Sequence, residues 1–369
     1  MPTCLLAPRV RSPLLAALLV AVSACAGGGA TGTAARDAAP APPAAASAAA
    51  PAAAATPAPR NVRLAYVSTA TVFAGLWAAR EYGILEQHGL RADDLLYING
   101  GPAIAQALVA GELDAGYGAF SPAATAIASG APLKVVGGIG HGFVHHLYTR
   151  DGNGILQATD LKGKRVGVSR IGSESHTVVR FWARGHGLQD DDITYVNAGG
   201  AGERLAALAS GSVDLLPLDP PMVVKAQKLG YREIADLSRE ALPWVQDGLI
   251  LPERGLHDDP ALARAITAAV IEGSYLVRAD RQRAFEVLGK YIGEQDPDAL
   301  EFAYQGYVRK FVDRARPDPA AVQAVLEFVE ESVPGAAREP YSRFVDLRLL
   351  DELERDGFFA RLERQYPAP

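Results

Sequence analysis

Short polar side chains and paired glycines stand where several predicted strands give way to helices. Ser68-Thr69-Ala70-Thr71 follows the first predicted strand, and Gly172-Ser173-Glu174-Ser175-His176 holds the equivalent place later in the chain. Gly100-Gly101 and Gly199-Gly200 follow two further strands. Hydroxyls donate and accept hydrogen bonds, and a helix start offers free N–H groups at a positive dipole end. These residue types predict non-covalent binding of a polar or anionic group.

Each of these segments also has a purely structural interpretation. Thr69 or Thr71 could cap the following helix, and a capping residue can still contact a ligand. The glycine pairs could let a ligand approach the backbone amides, or could serve only as tight turns. His176 lies one helical turn into the following helix, where it could face a cleft or cap the helix.

Charged, hydroxyl and aromatic side chains add further candidates. Asp219 could accept from an amine or hydroxyl of a ligand, or could cap the helix that Pro220 begins. Arg170 could pair with a phosphate, sulfonate or carboxylate, or point to solvent. Ser121 ends a predicted strand and so belongs to the rim of a cleft. Phe73 could supply an apolar wall or belong to the core.

Histidine and cysteine usage argues against a metal site or a cofactor. His141, His145 and His146 form a loose group, but neighbours on a strand point to opposite sides, so we expect no metal there. The only cysteines are Cys4 and Cys25, both near the N-terminus. We therefore expect no disulfide, no thiolate-bound metal and no thiol catalysis in the folded part.

The elements that position these candidates occur twice in the same order. Each copy predicts a strand, a helix, a strand, a Gly-Gly turn, a helix and a strand. Two such copies predict an α/β fold with two lobes, each a mixed sheet flanked by helices, and clefts between lobes bind small ligands. The matching segments are 63–68, 83–90, 97–101 and 110–114 in the first copy, and 165–169, 185–188, 195–200 and 210–214 in the second.

The N-terminal residues are typical of export. Residues 1–24 read as a signal peptide, with Arg9 and Arg11 before a short apolar stretch. Val22-Ser23-Ala24-Cys25 resembles a bacterial lipobox, in which the cysteine thiol receives a lipid. Residues 25–60 are rich in alanine and proline and are expected to form a flexible tether. We therefore expect an extracytoplasmic protein, anchored through Cys25, and periplasmic where the cell has an outer membrane.

The remaining chain is expected to divide between the lobes, with the first lobe discontinuous in sequence. We assign 61–147 and 250–369 to lobe one and 148–249 to lobe two. From Asp258 the pattern is helical, Asp259-Pro260 predicts a helix start, and these C-terminal helices are expected to pack on lobe one. The formal net charge of −6, without a basic stripe, disfavours nucleic-acid binding.

Four stretches resemble one family: "LWAAREYGILEQHGL", "GGPAIAQALVAGELDAGYGAFSPAATAIASGAPLKVV", "DLKGKRVGVSRIGSESHTVVR" and "GLQDDDITYVNAGGAGERLAALASGSVDLLPLDPP". The resemblance is to the NMT1/THI5-like substrate-binding proteins of ABC importers, which include nitrate, taurine, alkanesulfonate and thiamine-precursor binders. It implies a two-lobed periplasmic-binding-protein-like fold of type II. It also implies that the Gly172-Ser173 stretch presents amides and a hydroxyl to a ligand from the second lobe.

The resemblance implies a binding protein that closes on a small molecule and delivers it to an ABC permease in the membrane. We expect a monomer that is not an enzyme, with hinges near 147–150 and 248–251. A ligand-sensing input for a membrane partner remains an alternative, as does, with less support, an enzyme on the same fold. The expected ligand-binding residues are Thr69, Thr71, Phe73, Gly100, Gly101, Ser121, Arg170, Gly172, Ser173, His176, Gly199, Gly200 and Asp219.

Overall fold

A computed structural model of the chain describes residues 58–240 and 243–369. The expected signal peptide, Cys25 and nearly all of the expected tether lie outside the described residues. None of the helices in the described ranges is both long enough and apolar enough to cross a membrane.

Short strands alternate with helices over the first two thirds of the described chain, and helices alone make up the last third. The strands are β1 (Arg60–Asn61), β2 (Leu64–Tyr66), β3 (Leu90–Arg91), β4 (Leu95–Tyr97), β5 (Ala115–Ala119), β6 (Leu133–His141), β7 (His146–Thr149), β8 (Arg165–Val168), β9 (Thr194–Asn197), β10 (Leu215–Leu218), β11 (Arg232–Asp236) and β12 (Val245–Pro252).

The helices vary from a single turn to twenty residues. They are α1 (Ala74–Glu81), α2 (Ile84–Gln87), α3 (Gly101–Ala110), α4 (Phe120–Ala128), α5 (Glu174–Gly185), α6 (Ala201–Ser210), α7 (Met222–Lys228), α8 (Glu253–Asp258), α9 (Pro260–Ala279), α10 (Arg281–Ile292), α11 (Pro297–Lys310), α12 (Pro319–Glu330), α13 (Tyr341–Phe344), α14 (Arg348–Arg355) and α15 (Phe358–Gln365).

Two five-stranded sheets share one plan. Their strand orders are β4-β2-β5-β12-β6 and β9-β8-β10-β7-β11. In each sheet three strands run parallel, and the next strand is antiparallel to both of its neighbours. The repeat in the sequence is therefore a repeat of sheets. The antiparallel strand of each sheet adjoins the segment that crosses from the other sheet.

An arginine–aspartate clamp occurs at the same place in both sheets. Arg63, just before β2, donates to the Asp114 carboxylate at 2.7 Å and to the Gly111 carbonyl at 2.7 Å. Arg165, at the start of β8, donates to Asp214 at 2.8 Å and to a glycine carbonyl at 2.7 Å. Each aspartate also accepts the arginine's own backbone N–H. The clamp ties the first strand of each repeat to the turn before its last parallel strand.

Two segments carry the chain between the sheets. One joins His141 at the end of β6 to His146 at the start of β7, and the other joins Asp236 to Val245. The expected hinges at 147–150 and 248–251 are wrong, because most of these residues lie inside β7 and β12, which are hydrogen-bonded on both sides. Bending there would break sheet hydrogen bonds, so the crossings lie outside the strands. The lobe limits at 148 and 250 remain a prediction.

The C-terminal helices begin at aspartate caps and pack mainly around the first sheet. The carboxylates of Asp259, Asp280, Asp296 and Asp318 each accept a backbone N–H at a helix start, which confirms the predicted start at Asp259. Helix α9 packs against α1, and α14 and α11 pack against β6. A Cβ on Gly273 of α9 would lie 2.1 Å from a backbone oxygen of α1, so glycine permits this close approach.

Candidate functional site

A small, partly open cavity lies between the two lobes at the carboxyl ends of parallel strands from both sheets. The loops after β2, β4, β8 and β10 line it, together with residues of β12. In α/β sheets this edge is where ligands bind. The cavity has a volume of about 50 Å³, and one water molecule needs roughly 10–15 Å³. The space therefore holds a few waters or one small polar group, and the lobes meet around it.

A buried ion-pair cluster forms one wall of the cavity. Asp219, just after β10, lies 3.0 Å from His145 Nε2 and 3.5 Å from an Arg204 guanidinium nitrogen. Arg204 also donates to the carbonyls of Pro217 and Gly199, at 3.3 and 3.1 Å. Burial alone would raise the pKa of Asp219, but the charges of His145 and Arg204 hold that pKa below its usual value. Asp219 is therefore ionised, and each of the three guanidinium nitrogens of Arg204 has a partner within the protein.

Two further carboxyl groups line the cavity. Glu174, the first residue of α5, accepts from Ser121 Oγ at 2.7 Å and from Trp244 Nε1 at 3.1 Å. Burial raises the pKa of Glu174 to about 7, although both hydrogen bonds oppose this shift. Asp247 of β12 is 2% exposed, and its Oδ2 has no hydrogen-bond partner among the described residues. Burial, with the charges of Glu174 and Asp219, raises the pKa of Asp247 well above its usual value.

Three serines form a hydrogen-bonded cluster on the second lobe's side of the cavity. Ser169 Oγ lies 2.8 Å from Ser173 Oγ and 3.0 Å from Ser175 Oγ. Ser173 and Ser175 are 3.0 Å apart, and Ser175 also accepts the backbone N–H of Ser169. Because each hydroxyl can rotate its hydrogen, the cluster can offer either donors or acceptors to a ligand.

A larger and mainly apolar groove opens beside the cavity. It has a volume of about 620 Å³ and lies between α3, α4 and α12 of the first lobe and α5 of the second. His176 lines it and packs edge-on against the Tyr195 ring at 4.5 Å. Burial lowers the pKa of His176 to about 4, helped by the charge of Arg180. The imidazole is therefore neutral at physiological pH, and its Nδ1 accepts the Gly172 N–H at 3.1 Å.

Comparison with known proteins settles the family of this two-lobed chain. The family model described as NMT1/THI5 like matches residues 70–284. The chain belongs to the NMT1/THI5-like family. A Brucella abortus (strain 2308) protein, named only as a binding protein, is 26% identical over 235 residues, which are 63% of this chain and 71% of its own.

Solved structures share the fold of this NMT1/THI5-like chain. A protein from Bordetella bronchiseptica RB50 aligns with a TM-score of 0.72 and 21% identity, over 83% of this chain and 98% of its own. The alkanesulfonate-binding protein SsuA from Xanthomonas axonopodis pv. citri, bound to MOPS, aligns with a TM-score of 0.62 and 22% identity, over 76% and 96%. The desulfurization enzyme DSZB aligns with a TM-score of 0.57 and 18% identity, over 80% and 99%. These similarities confirm the predicted two-lobed periplasmic-binding-protein fold.

The thirteen residues predicted from the sequence fall into three groups in this NMT1/THI5-like chain. Five of them line the cavity: Phe73, Gly100, Gly101, Ser173 and Asp219. Three line the groove: Ser121, Gly172 and His176. The rest, Thr69, Thr71, Arg170, Gly199 and Gly200, line neither of these two spaces.

Specific contacts explain the positions of three of these five residues. Thr71 Oγ1 donates across the lobes to the Pro220 carbonyl at 3.1 Å. The Gly200 N–H donates to Glu203 of its own helix at 2.7 Å, which occupies the amide that a ligand would use. Arg170 is exposed, and its side chain lies against Gly100 of the facing lobe.

Sequence reasoning missed several polar residues of the cavity. Arg204 lies within a helix pattern, and Gln246 and Asp247 lie in a strand that otherwise reads as apolar. The signal in the sequence was the polar pair Gln246-Asp247 near the start of the otherwise apolar run Trp244–Pro252, where buried polar side chains indicate a binding site. Glu174 was recognised only as part of its segment, and His145 only as part of a histidine group.

One cluster among the described residues has the side-chain types of a metal site. His146 Nδ1 lies 2.7 Å from a Glu233 oxygen and 3.4 Å from an Asp236 oxygen. Asp236 also accepts from Ser238 and pairs with Arg239 at 2.7 Å. The side chains of this cluster therefore already have partners within the protein, and they form a structural network beside β7 and β11.

Proposed function

We propose that this chain is a lipid-anchored extracytoplasmic solute-binding protein that captures a small polar or anionic organic molecule between its two lobes and delivers it to an ABC importer. The observation that carries the proposal is the polar cavity at the carboxyl ends of parallel strands from both sheets. Membership of the NMT1/THI5-like family supports it. So do the names of the Brucella and SsuA relatives, a binding protein and an alkanesulfonate-binding protein.

Closure of the lobes around the ligand is part of this proposal. Polar contacts that join the lobes lie at the cavity and would break on opening: Ser121 and Trp244 with Glu174, and Thr71 with the Pro220 carbonyl. Further ion pairs, Arg184 with Glu331 and Lys228 with Asp296, join lobe-two helices to C-terminal segments. Two crossing segments allow the hinge rotation that periplasmic binding proteins use.

The membrane anchor is proposed from Val22-Ser23-Ala24-Cys25 alone. Replacing Cys25 with serine should release the protein from membranes or leave the signal peptide uncleaved, because serine has no thiol for the lipid. Membrane fractionation with mass spectrometry of the N-terminus measures both. A normally cleaved Cys25→Ser protein that still sediments with membranes would contradict the anchor.

Two other functions on the same fold are distinguishable from transport. A sensor would use the same closure, and an adjacent permease and ATPase in the genome favours transport over sensing. An enzyme receives less support even though DSZB shares the fold. Within 58–240 and 243–369, no histidine makes a hydrogen bond to a hydroxyl of the serine cluster, so an activated nucleophile is not formed there.

The experiment is identification of the ligand, followed by a test of its placement. Small molecules released from purified, denatured protein are identified by mass spectrometry, and their binding is measured by calorimetry. Ser173→Leu should weaken binding because it blocks approach to the cavity and leaves polar groups unpaired, at roughly 1–3 kcal/mol for each, or about five- to a hundred-fold. Ser212→Leu, at an exposed position of the same lobe, is the matched control.

Two results would count against the proposal. Wild-type affinity in a folded Ser173→Leu protein would exclude this cavity as the site. Saturation with a confirmed ligand and no change in small-angle scattering, from a ligand-free sample shown to be open, would exclude closure.

A further inference from the structure

We propose that the cavity receives the positively charged, N–H-bearing end of a small organic solute, an amine, amidine or guanidine, with the Asp247 carboxylate as its counter-ion. This inference rests on the proposed solute-binding function and narrows its ligand class. It keeps the polar ligand and excludes the anionic one, both of which the glycine-rich helix starts had suggested.

Carboxyl groups outnumber cationic side chains along the cavity. Three carboxyl groups, those of Glu174, Asp219 and Asp247, face it. The cationic or potentially cationic side chains are Arg204 and His145, and both are held by Asp219. Arg204 also donates hydrogen bonds to two backbone carbonyls. No free guanidinium remains among the described lining residues to receive an anion, whereas Asp247 lacks a cation.

Unpaired acceptors point in the same direction. Asp247 Oδ2 and Gln246 Oε1 both line the cavity, belong to residues 2% and 3% exposed, and have no hydrogen-bond partner within the described chain. A buried acceptor without a donor is costly, and a charged N–H donor satisfies it best. A ligand carrying several N–H groups on a cationic centre supplies what these two side chains lack.

The backbone of β12 is irregular where these two residues lie. Side chains of successive strand residues normally point to opposite faces, yet Gln246 and Asp247 both line the cavity. The pairing of β12 with β6 shifts register between Val245 and Asp247, which leaves Gln246 as an extra residue. A bulge of this kind re-aims a side chain and is common beside binding sites. The irregularity brings both acceptors to the ligand.

Two amide donors expected to receive an anion are already used. The Gly172 N–H donates to His176 Nδ1 at 3.1 Å, and the Gly200 N–H donates to Glu203 at 2.7 Å. An anion in the cavity would lie beside the ionised Asp219 carboxylate and two further carboxyl groups, those of Asp247 and Glu174. The local chemistry therefore opposes a sulfonate or carboxylate at this position.

Proton release gives the inference a distinct signature. Burial, with the charges of Glu174 and Asp219, raises the pKa of Asp247. His145 and Arg204 line the same cavity, and the Tyr117 hydroxyl interacts electrostatically with Asp247. A bound cation would favour the ionised carboxylate and lower that pKa. Binding of a cation should therefore release up to one proton at pH values below the raised pKa of Asp247, and affinity should rise with pH.

The test uses probes matched in shape but opposite in charge: propylamine against propanesulfonate, and benzamidine against benzoate. Each is added to wild-type protein at intervals between pH 5 and 8, and binding is followed by thermal shift and calorimetry. Calorimetry in buffers of different ionisation enthalpy counts the protons released. We expect the amine or amidine to bind with proton release and its anionic counterpart not to bind.

Asp247→Asn then tests the residue itself. This variant should bind the cationic probe roughly 10- to 100-fold more weakly and release fewer protons than wild type, because a neutral amide replaces the charge-assisted hydrogen bond. Asp298→Asn, at an exposed position, is the matched control and should bind as wild type. The number of protons released by wild-type protein is measured without any variant. It therefore still tests the inference if Asp247→Asn fails to fold.

The outcomes separate this inference from the proposed function. Binding of the anionic probes alone, or of the cations with no proton release and undiminished affinity in Asp247→Asn, overturns the inference and leaves solute binding intact. A neutral or anionic solute found in the purified protein does the same. Failure of any solute to bind overturns both.

Discussion

Ionisation of Glu174 should control how strongly the two lobes hold together. Its carboxyl group enters from the second lobe and accepts hydrogen bonds from Ser121 and Trp244, which belong to or adjoin the first sheet. Since burial raises its pKa to about 7, the native state keeps the proton in a pH range where the unfolded chain has lost it. The informative perturbation is Glu174→Gln, which retains size and polarity but cannot ionise.

The size of the effect follows from the pKa difference. A shift from 4.5 to about 7 corresponds to about 3 kcal/mol, at 1.4 kcal/mol per unit. The folded pKa is above the unfolded one, so the wild type is relatively most stable below pH 4.5 and loses that advantage as pH rises to 7. We treat 3 kcal/mol as an upper limit, because the residue keeps part of its surface exposed.

The assay is urea unfolding of the ligand-free wild type and Glu174→Gln at intervals between pH 4 and 8. The free energy of unfolding of wild type minus that of the variant should fall by up to about 3 kcal/mol between pH 4.5 and 7. Other titrating groups are present in both proteins and cancel in the difference. Glu327→Gln, an exposed position on α12, measures the general effect of removing one carboxylate.

A difference that stays flat across this range, or that rises with pH, would falsify the assignment of a buried, proton-holding Glu174. Small-angle scattering at pH 5.5 and 8.5 adds an independent reading. Above pH 7 the ionised carboxylate regains water when the lobes separate, so the ligand-free wild type should expand more than Glu174→Gln.

Three further predictions concern stability. His176→Gln removes a ring whose pKa is lowered to about 4, so urea unfolding should show the wild type losing up to about 3 kcal/mol relative to the variant as pH falls from 6.5 through 4, and parallel curves would contradict this. Gly273→Ala places a Cβ 2.1 Å from backbone and should cost roughly 1–3 kcal/mol; Gly202→Ala, with no atom within 4 Å, should instead raise the melting temperature. Asp114→Ala and Asp214→Ala should cost similar amounts, each roughly 1–3 kcal/mol, and a large inequality would show that the two clamps are not equivalent.

The duplicated part of the fold was predictable because its signals are local. Short apolar runs predict strands, glycines mark the turns, and the order of the two sets is visible in one sequence. The loops after parallel strands follow from the same order, since such strands end at one edge of a sheet. The sequence therefore predicts that Ser173 and Asp219 border the same cleft, and both line the cavity although they lie far apart in the chain.

The charged interior of the cavity was not predictable, because it depends on contacts between distant elements. Asp247 reaches the cavity because the pairing of β12 with β6 shifts register beside it, and no local pattern in the sequence predicts that shift. Arg204 reads as an exposed helix residue until its helix packs over β10 and buries it at 3% exposure. The predicted hinge positions were wrong for a related reason. Strands β7 and β12 are each hydrogen-bonded to a neighbouring strand on both sides, which makes them unsuitable as hinges. The sequence alone does not show which strands are neighbours.

The place of β12 in the first sheet dictates an order of assembly. Strands β5 and β6 are not neighbours; β12 lies between them, and it comes more than a hundred residues after β6 begins. A chain that leaves a translocation pore N-terminus first, as the proposed export requires, thus presents an open gap in its first sheet until residue 252 has emerged. Non-local pairing of this kind forms slowly. If the chain is exported in this way, the first sheet is completed only after β12 has crossed the membrane.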